Sequence, residues 1–352
     1  MATLADVLTA RAQEGAAELC ERYKGDWVRC HACGHQCPIP NGAVGVCKVR
    51  FNRDGRLMVP WGYVAGAQCD PICLHCSFCQ NWVTSQALRD PRAVAAPQAA
   101  DPRALVEDAI GLGARVVVST YNEPLITSEW AVAIFKEAKA AGLATGFVSN
   151  GNATAKVLEY LRPWLDFYKV DLKSFDDKRY RQLGGRLQPI VDTIVRLKEM
   201  GFWVEIVTLL VPGFNDSKDE LTRLTDFIAR VSPDIPWHVT AFHANYKMRS
   251  RGDTTTEMLV NAADIGRSAG LRFVYAGNLP GCVGDLENTR CPSCRSLLVS
   301  RYGYVIRQYR ITSAGACPSC GTQVPGRWSE HFEPQVTSVP FSPRRRRGLD
   351  RD

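Results

Sequence analysis

The chain has 352 residues, 45% of them apolar and 22% charged, with a net charge of +7. That length predicts two or three domains around a large core. No apolar run approaches the roughly eighteen residues of a spanning helix, and fourteen cysteines with no secretory leader predict a reducing cytoplasm and bound metal instead of disulfides. Of the charge, +3 sits in residues 340–352, five Arg against two Asp, so the body is only mildly basic and gives weak support to nucleic-acid binding.

Residues 1–24 read as an amphipathic helix. Leu4, Val7, Leu8, Ala16 and Leu19 recur at helical spacing, with Arg11, Glu14 and Glu18 opposite. Cys20 on that helix reads as a small buried hydrophobe. Next come Cys30-His-Ala-Cys33-Gly-His-Gln-Cys37 and, after a Pro/Asn/Gly turn, Cys47. A C-x2-C pair with two further cysteines close by is a metal-binding spacing. Zinc in a closed four-cysteine site is the first reading, and a second iron–sulfur cluster the alternative. His31 and His35 are expected to support the site or face solvent. Short strands are predicted at residues 49–51, 57–59 and 63–65, with a hairpin turn at the Asp54-Gly55 step.

Residues 69–86 read CDPICLHCSFCQNWVTSQ, with Cys69, Cys73, Cys76 and Cys79 inside eleven positions. Thiolates this dense in one short loop suit a single iron–sulfur cluster. Four ligands close such a cluster and leave an electron carrier; three leave one iron open to a substrate. Cys69, Cys73 and Cys76 make C-x3-C-x2-C, the spacing of radical S-adenosylmethionine (SAM) enzymes. Cys73, Cys76 and Cys79 make C-x2-C-x2-C, which also opens the bacterial ferredoxin run. The spacing does not choose between them.

From residue 90 to 277 the pattern alternates. Strands are predicted at 115–120 (RVVVST, read as buried), 143–149, 167–172, 203–210, 237–242 and 272–275. Helical segments lie between them. Such alternation means βα units and a parallel sheet, and six units suit a partial TIM-type barrel. In these barrels chemistry gathers at the carboxyl ends of the strands. Those ends carry Thr120-Tyr121-Asn122-Glu123, Ser149-Asn150-Gly151-Asn152, Asp171-Leu172-Lys173, Asn215-Asp216, His238 and His243, and Gly277-Asn278. Gly184-Gly185 reads as a helix end and not a phosphate cradle; no Walker sequence or Ser-His-Asp order is present.

Cys291-Pro-Ser-Cys294 and Cys317-Pro-Ser-Cys320 are paired knuckles with strands predicted between them, the pattern of a zinc ribbon. Cys282 stands apart and reads as structural. Residues 331–352, with Pro334, Pro340, Pro343 and the run of Arg at 344–347, read as a disordered basic tail. The domains expected are 1–66 (helix and four-cysteine module), 67–280 (barrel), 281–330 (ribbon) and the tail.

Cys76-Ser-Phe-Cys79-Gln80-Asn81-Trp82 resembles the C-x-x-C-Q-N-W that closes the cluster loop in radical SAM members of the AmmeMemoRadiSam family, which is similar to the activating enzymes of glycyl-radical enzymes. The likeness runs from about Cys30 to Trp328 and includes TYNEP, SNG, DLK, PWH, the GN-x-PG join at Gly277–Gly281 and Pro325-Gly326-x-Trp328. The register of QNW implies Cys73, Cys76 and Cys79 as ligands of a [4Fe–4S] cluster, with Cys69 an adjacent thiol. One departure stands out. The family's DPI-like tripeptide precedes the cluster loop by a strand, whereas Asp70-Pro71-Ile72 here runs directly into Cys73. The comparison therefore implies that the first barrel strand is missing.

The resemblance implies cleavage of SAM to methionine and a 5′-deoxyadenosyl radical that takes hydrogen from a substrate, by analogy a peptide or protein. It assigns Glu123 to the ammonium of SAM, Ser149, Asn150 and Asp171 to the ribose, Lys173 to the methionine carboxylate and His238 to the ribose or sulfonium region. It also implies a flavodoxin- or ferredoxin-type reductant and AMMECR-type and Memo-like partners, with no membrane. The other readings are a closed-cluster electron carrier, or metal-stabilised interaction module, and a nucleic-acid-modifying enzyme using the ribbon and tail.

Overall fold

The computed structural model describes residues 3–65, 76–79, 81–90, 97–250 and 252–328. The chain divides into two compact units, Met1–Leu286 and Glu287–Asp352.

The first unit is built on six parallel strands: β1 (Val116–Ser119), β2 (Ala144–Ser149), β3 (Phe167–Asp171), β4 (Trp203–Leu210), β5 (Trp237–Ala241) and β6 (Val274–Gly277). Their order in space is their order in sequence, and every neighbouring pair is parallel. A doubly wound sheet would reverse its order at a switch point; consecutive winding is the barrel-like arrangement that the βα alternation predicts. The main crossover helices are α1 (Ser128–Ala140), α2 (Ala155–Leu161), α3 (Leu187–Glu199), α4 (Lys218–Val231) and α5 (Thr256–Ser268).

The strands show why the sheet has one sealed and one open face. Along β4 burial alternates strictly, half-buried then buried. Val204, Ile206 and Leu210 join Ile194 and Leu197 of α3 and Leu224 and Ile228 of α4 in one core. Each such side chain contributes roughly 1.5–3 kcal/mol by leaving water. The opposite set, Trp203, Glu205, Val207 and Leu209, is half-buried. Register places Lys169 beside Glu205, and Asp171, Val207, His238 and Tyr275 in one row on that same open face.

Helix ends follow local chemistry. Ser217 caps α4, with Asp219 and Glu220 in its first turn and Arg230 in its last. The helix Asp177–Gln182 closes at Gly184, at φ 81°, with Gly184 N–H on Arg181 O at 3.0 Å and Gly185 N–H on Tyr180 O at 2.9 Å. That double bond is a helix terminator, as the Gly-Gly pair predicts.

Two expectations fail. Residues 3–24 are not one helix: Leu4–Ala10 is α-helical, and Ala17–Leu19 forms a single 3-10 turn. Gln13 and Glu14 pair with Val59 and Met58, and Gly15 N–H donates to Leu57 O at 2.7 Å. A Cβ on Gly15 would lie 2.8 Å from Val59 Cγ1, so only glycine lets the chain turn onto that strand. Sheet pairing overrides the helical spacing, and Cys20 lies half-buried on the strand Cys20–Arg22 opposite Cys30. The strand RVVVST is not buried either. It is the sheet edge β1, with Val116 and Val118 38% and 44% exposed on the open face.

The Asp-Gly hairpin forms as expected, between Phe51–Arg53 and Arg56–Val59, with positive φ at both Asp54 and Gly55. Tyr63–Ala65 pairs antiparallel with Pro97–Ala99, outside the main sheet. The second unit is a three-stranded antiparallel sheet of Thr289–Arg290, Leu297–Tyr302 and Val305–Tyr309. Residues 66–75, where the missing-strand expectation falls, and the tail lie outside the described residues.

Candidate functional site

Cys76 is buried and Cys79 half-buried, while Cys69 and Cys73 lie outside the described residues. Cys79 N–H donates to Cys76 O at 3.2 Å, so a tight turn carries both thiols. The loop is anchored from three sides. Phe78 is buried edge-on to Phe214, centroids 5.7 Å apart, just beyond β4. Lys247 N–H, beyond β5, donates to Ser77 O at 3.0 Å. Trp82 stacks on Tyr246 at 5.1 Å and 12°, and the Tyr246 hydroxyl donates to Asp90 Oδ2 at 3.1 Å. All three partners, Phe214, Tyr246 and Lys247, follow the carboxyl ends of β4 and β5, the face on which βα barrels carry their chemistry. Burial pushes the Cys76 thiol up to about 12 against the pull of Lys173, with Cys79 and Asp171 adding to the rise. Metal coordination removes that penalty by taking the thiol as thiolate.

At the end of β3, Lys173 Nζ lies 3.3 Å from Asp171 Oδ2, and Lys169 Nζ 3.6 Å from Oδ1. Burial works to raise the Asp171 pKa, but Lys173 and Lys169 outweigh it and hold it below the usual range. Asn215 fixes the spot. Its side chain accepts from Val211 N–H at 2.7 Å and donates to Lys173 O and Leu209 O, each at 2.8 Å.

Glu123 joins the ends of β1 and β2. Its Oε1 accepts from Ser149 Oγ at 2.6 Å and Leu125 N–H at 3.2 Å, and its Oε2 from Asn150 N–H at 2.7 Å. Tyr168 Oη donates to Ser149 Oγ at 3.0 Å, and Asn150 Oδ1 takes the Asn152 amide at 2.8 Å. Burial pushes the carboxyl up to about 7 in spite of those donors. A cation brought to it would reverse the shift.

His238 sits on the open face with Nε2 2.8 Å from Glu205 Oε2, its ring stacked on Tyr275 at 5.0 Å. Trp203 Nε1 donates to the other Glu205 oxygen at 3.0 Å. In the same row, two strands from Asp171, His238 is about 10 Å away across the sheet. His243 is half-buried, 3.4 Å from Asp253.

The N-terminal cysteines Cys30, Cys33, Cys37 and Cys47 line one pocket with His35 and Arg50. Burial pushes Cys47 up to about 11 and Cys33 well above its ordinary value. His31 is buried, 2.9 Å from Glu21. Among the described residues, the group whose sulfurs all lie within 4.8 Å of one another is Cys291, Cys294, Cys317 and Cys320. Ser296 and Thr322 hydroxyls, each 3.2 Å from a sulfur, hold the Cys294 and Cys320 thiols below their ordinary values. That is a donor set for a tetrahedral sulfur-ligated metal, zinc or iron.

Sequence reasoning missed Arg50, Glu129 and Glu205, and named Asn215 only as part of a polar strand end. Glu205 carried a signal: it is the one charge within the strand WVEIVTLL.

A six-stranded parallel βα sheet wound in sequence order, with cysteines and buried polar groups at its strand ends, defines an α/β protein of the barrel-like class. The chain belongs to the radical SAM superfamily, whose sequence model matches residues 73–225. An uncharacterized protein of Methanocaldococcus jannaschii is 30% identical over 332 residues, covering 86% of this chain and 97% of that protein. The pyruvate formate-lyase-activating enzyme of Staphylococcus aureus (strain USA300) is 26% identical over 178 residues, 49% of this chain and 70% of that one. A solved domain of such an activating enzyme from Bacteroides vulgatus ATCC 8482 is 20% identical, covers 46% of this chain and 98% of the domain, and has a TM-score of 0.42. Superfamily membership implies a [4Fe–4S] cluster and SAM, and the thiols of Cys76 and Cys79 on one turn suit the former. No described helix is long and apolar enough to cross a membrane.

Proposed function

We propose that the chain is a radical SAM enzyme of the AmmeMemoRadiSam type, with Cys73, Cys76 and Cys79 holding the cluster and SAM lying between that loop and the strand ends. One observation carries this reading: Cys76 is an electrostatic neighbour of Asp171 and Lys173, in a loop anchored beyond β4 and β5. When bound, the cluster supplies the electron that splits SAM. The chain's own groups bind and orient. Glu123 meets the ammonium, Lys173 the carboxylate, and Ser149, Asn150, Asp171 and His238 the ribose side. Burial of Glu123 and Cys76 excludes water from that region. The substrate is a peptide or protein, the electron source a flavodoxin or ferredoxin in the cytoplasm, and AMMECR-type and Memo-like proteins are the partners. Zinc occupies the ribbon and the N-terminal module.

The test is anaerobic reconstitution with iron and sulfide, reduction with dithionite, addition of SAM and assay of 5′-deoxyadenosine. A cluster whose electron paramagnetic resonance spectrum ignores SAM defeats the reading and favours an electron carrier.

A second reading, nucleic-acid modification, has its own observation. Residues 287–328 hold six Arg and one acidic residue, Glu287, a net +5, and Tyr304 is 99% exposed at the hairpin tip. Binding of single-stranded RNA that falls steeply with salt is its test.

A further inference from the structure

Arg50 is 1% exposed, an unusual place for a guanidinium. It follows Cys47 by three residues, and its own amide donates to Cys47 Sγ at 3.4 Å. Its side chain reaches the other way. Nη1 and Nη2 form a two-pronged pair with Glu129 of α1, and Nε donates to Ile126 O at 2.7 Å. Nη1 also lies 3.8 Å from Cys30 Sγ. One buried arginine therefore meets two pocket cysteines, Cys47 through its backbone amide and Cys30 through its guanidinium, and the guanidinium also holds the start of α1.

Ile126 belongs to the turn Pro124–Thr127, which Glu123 caps. Ile126 N–H donates to Glu123 O at 3.1 Å, and Ile126 itself lines the cysteine pocket. The module also holds the other half of the Glu123 site. Gly34 N–H, next to Cys33, donates to Asn152 O at 2.8 Å. A Cβ at Gly34 would stand 2.2 Å from Asn152 Oδ1, so any larger residue must displace the Asn152 side chain. Thr154 Oγ1 donates to His31 O. Asn152 in turn donates to Asn150, whose amide is bonded to Glu123.

We infer that a metal ion held by Cys30, Cys33, Cys37 and Cys47 positions Glu123 and Asn150, through Arg50 on one arm and Gly34 and His31 on the other, so that the N-terminal module is part of the SAM site. The physical reason is charge and order. A bound metal converts four buried thiols to thiolates, and a tetrathiolate around a divalent ion carries two negative charges. The Arg50 guanidinium lies between Cys30 of that set and the Glu129 carboxylate, so it ties the sulfurs to the start of α1. With it held, Ile126 and the Glu123 turn are held too. Arg50 is a positioning residue and does not touch the reacting atoms. The link to SAM rests on the function proposed above; the link to the two strand-end loops does not.

The experiment uses the full chain, anaerobically purified, with metal content measured before and after substitution. Cys47→Ser removes a ligand, and Gly34→Ala separates the module from residue 152 without touching a thiol or Glu123. Hydrogen–deuterium exchange is the first readout. In both variants peptides covering 120–128 and 148–154 exchange faster, while ribbon peptides 291–320 are unchanged. SAM affinity of the reconstituted protein is the second, and it falls by ~10-fold or more, the range of ordinary coupling between sites. Unchanged exchange in both loops after the metal is lost overturns the inference, as does a wild-type module that binds no metal. Wild-type protein that ignores SAM while exchange still responds overturns the proposed function and leaves the positioning role standing. Gly34→Ala keeps the test open should Cys47→Ser fail to fold.

Discussion

The Asn150 amide donates to Glu123 Oε2 at 2.7 Å, tying the end of β2 to the end of β1 through a carboxyl that is 2% exposed. Burial pushes that carboxyl up to about 7 from an ordinary value of 4.5. The folded state therefore holds a proton that the unfolded state releases. Stability is greatest below the ordinary value and declines as pH rises towards 7. Glu123→Gln is expected to flatten that decline in urea unfolding run at pH 5 and pH 7.5. The same variant loses the ammonium partner, so SAM affinity falls on the order of 10- to 100-fold. A decline of unchanged slope in the variant assigns the pH dependence to another group.

Cys76→Ala is expected to lose the iron signal of the central loop and 5′-deoxyadenosine formation together, with α/β circular dichroism kept. Cys69→Ala is expected to retain both, since the QNW register leaves Cys69 outside the ligand set. Loss of the cluster in Cys69→Ala moves the ligand set one cysteine towards the N-terminus.

Asn215 is 1% exposed and satisfies three backbone groups from two strand ends. Asn215→Ala strands buried donors and acceptors, at about 1–3 kcal/mol for each group left unpaired. Chemical denaturation reads the loss. The Lys173 backbone is released as well, so SAM affinity drops beyond what the stability change alone explains.

The two ribbon knuckles are near copies. Arg295 N–H donates to Cys291 O at 3.1 Å and Gly321 N–H to Cys317 O at 2.9 Å, with both residues left-handed at φ 62° and 72°. A non-glycine residue pays about 1–2 kcal/mol there. Arg295→Gly is expected to tighten metal retention in the ribbon and Gly321→Ala to weaken it, measured by competition with a chelator. Equal retention in both variants removes backbone strain from the account.

Much of the fold was legible because its signals are local. Strand and helix periods from residue 97 onward, the Asp54-Gly55 turn and the Gly184 helix end each depend on a few adjacent residues. The N-terminal helix misled because its apolar spacing served two short elements, one drawn into pairing with Met58 and Val59. The strand 116–119 looked buried because valines do not reveal whether a neighbour lies beyond them.

The sequence by itself determined the cysteine groupings and the βα alternation, which are written in spacings of a few residues, and the superfamily, which is carried by the match over residues 73–225. Only the tertiary structure decided which charges meet. Arg50 finds Glu129 across 79 positions and His238 finds Glu205 across 33. A buried charge must be paired to leave water, but which partner it takes depends on how distant strands and helices come together, and no local pattern encodes that.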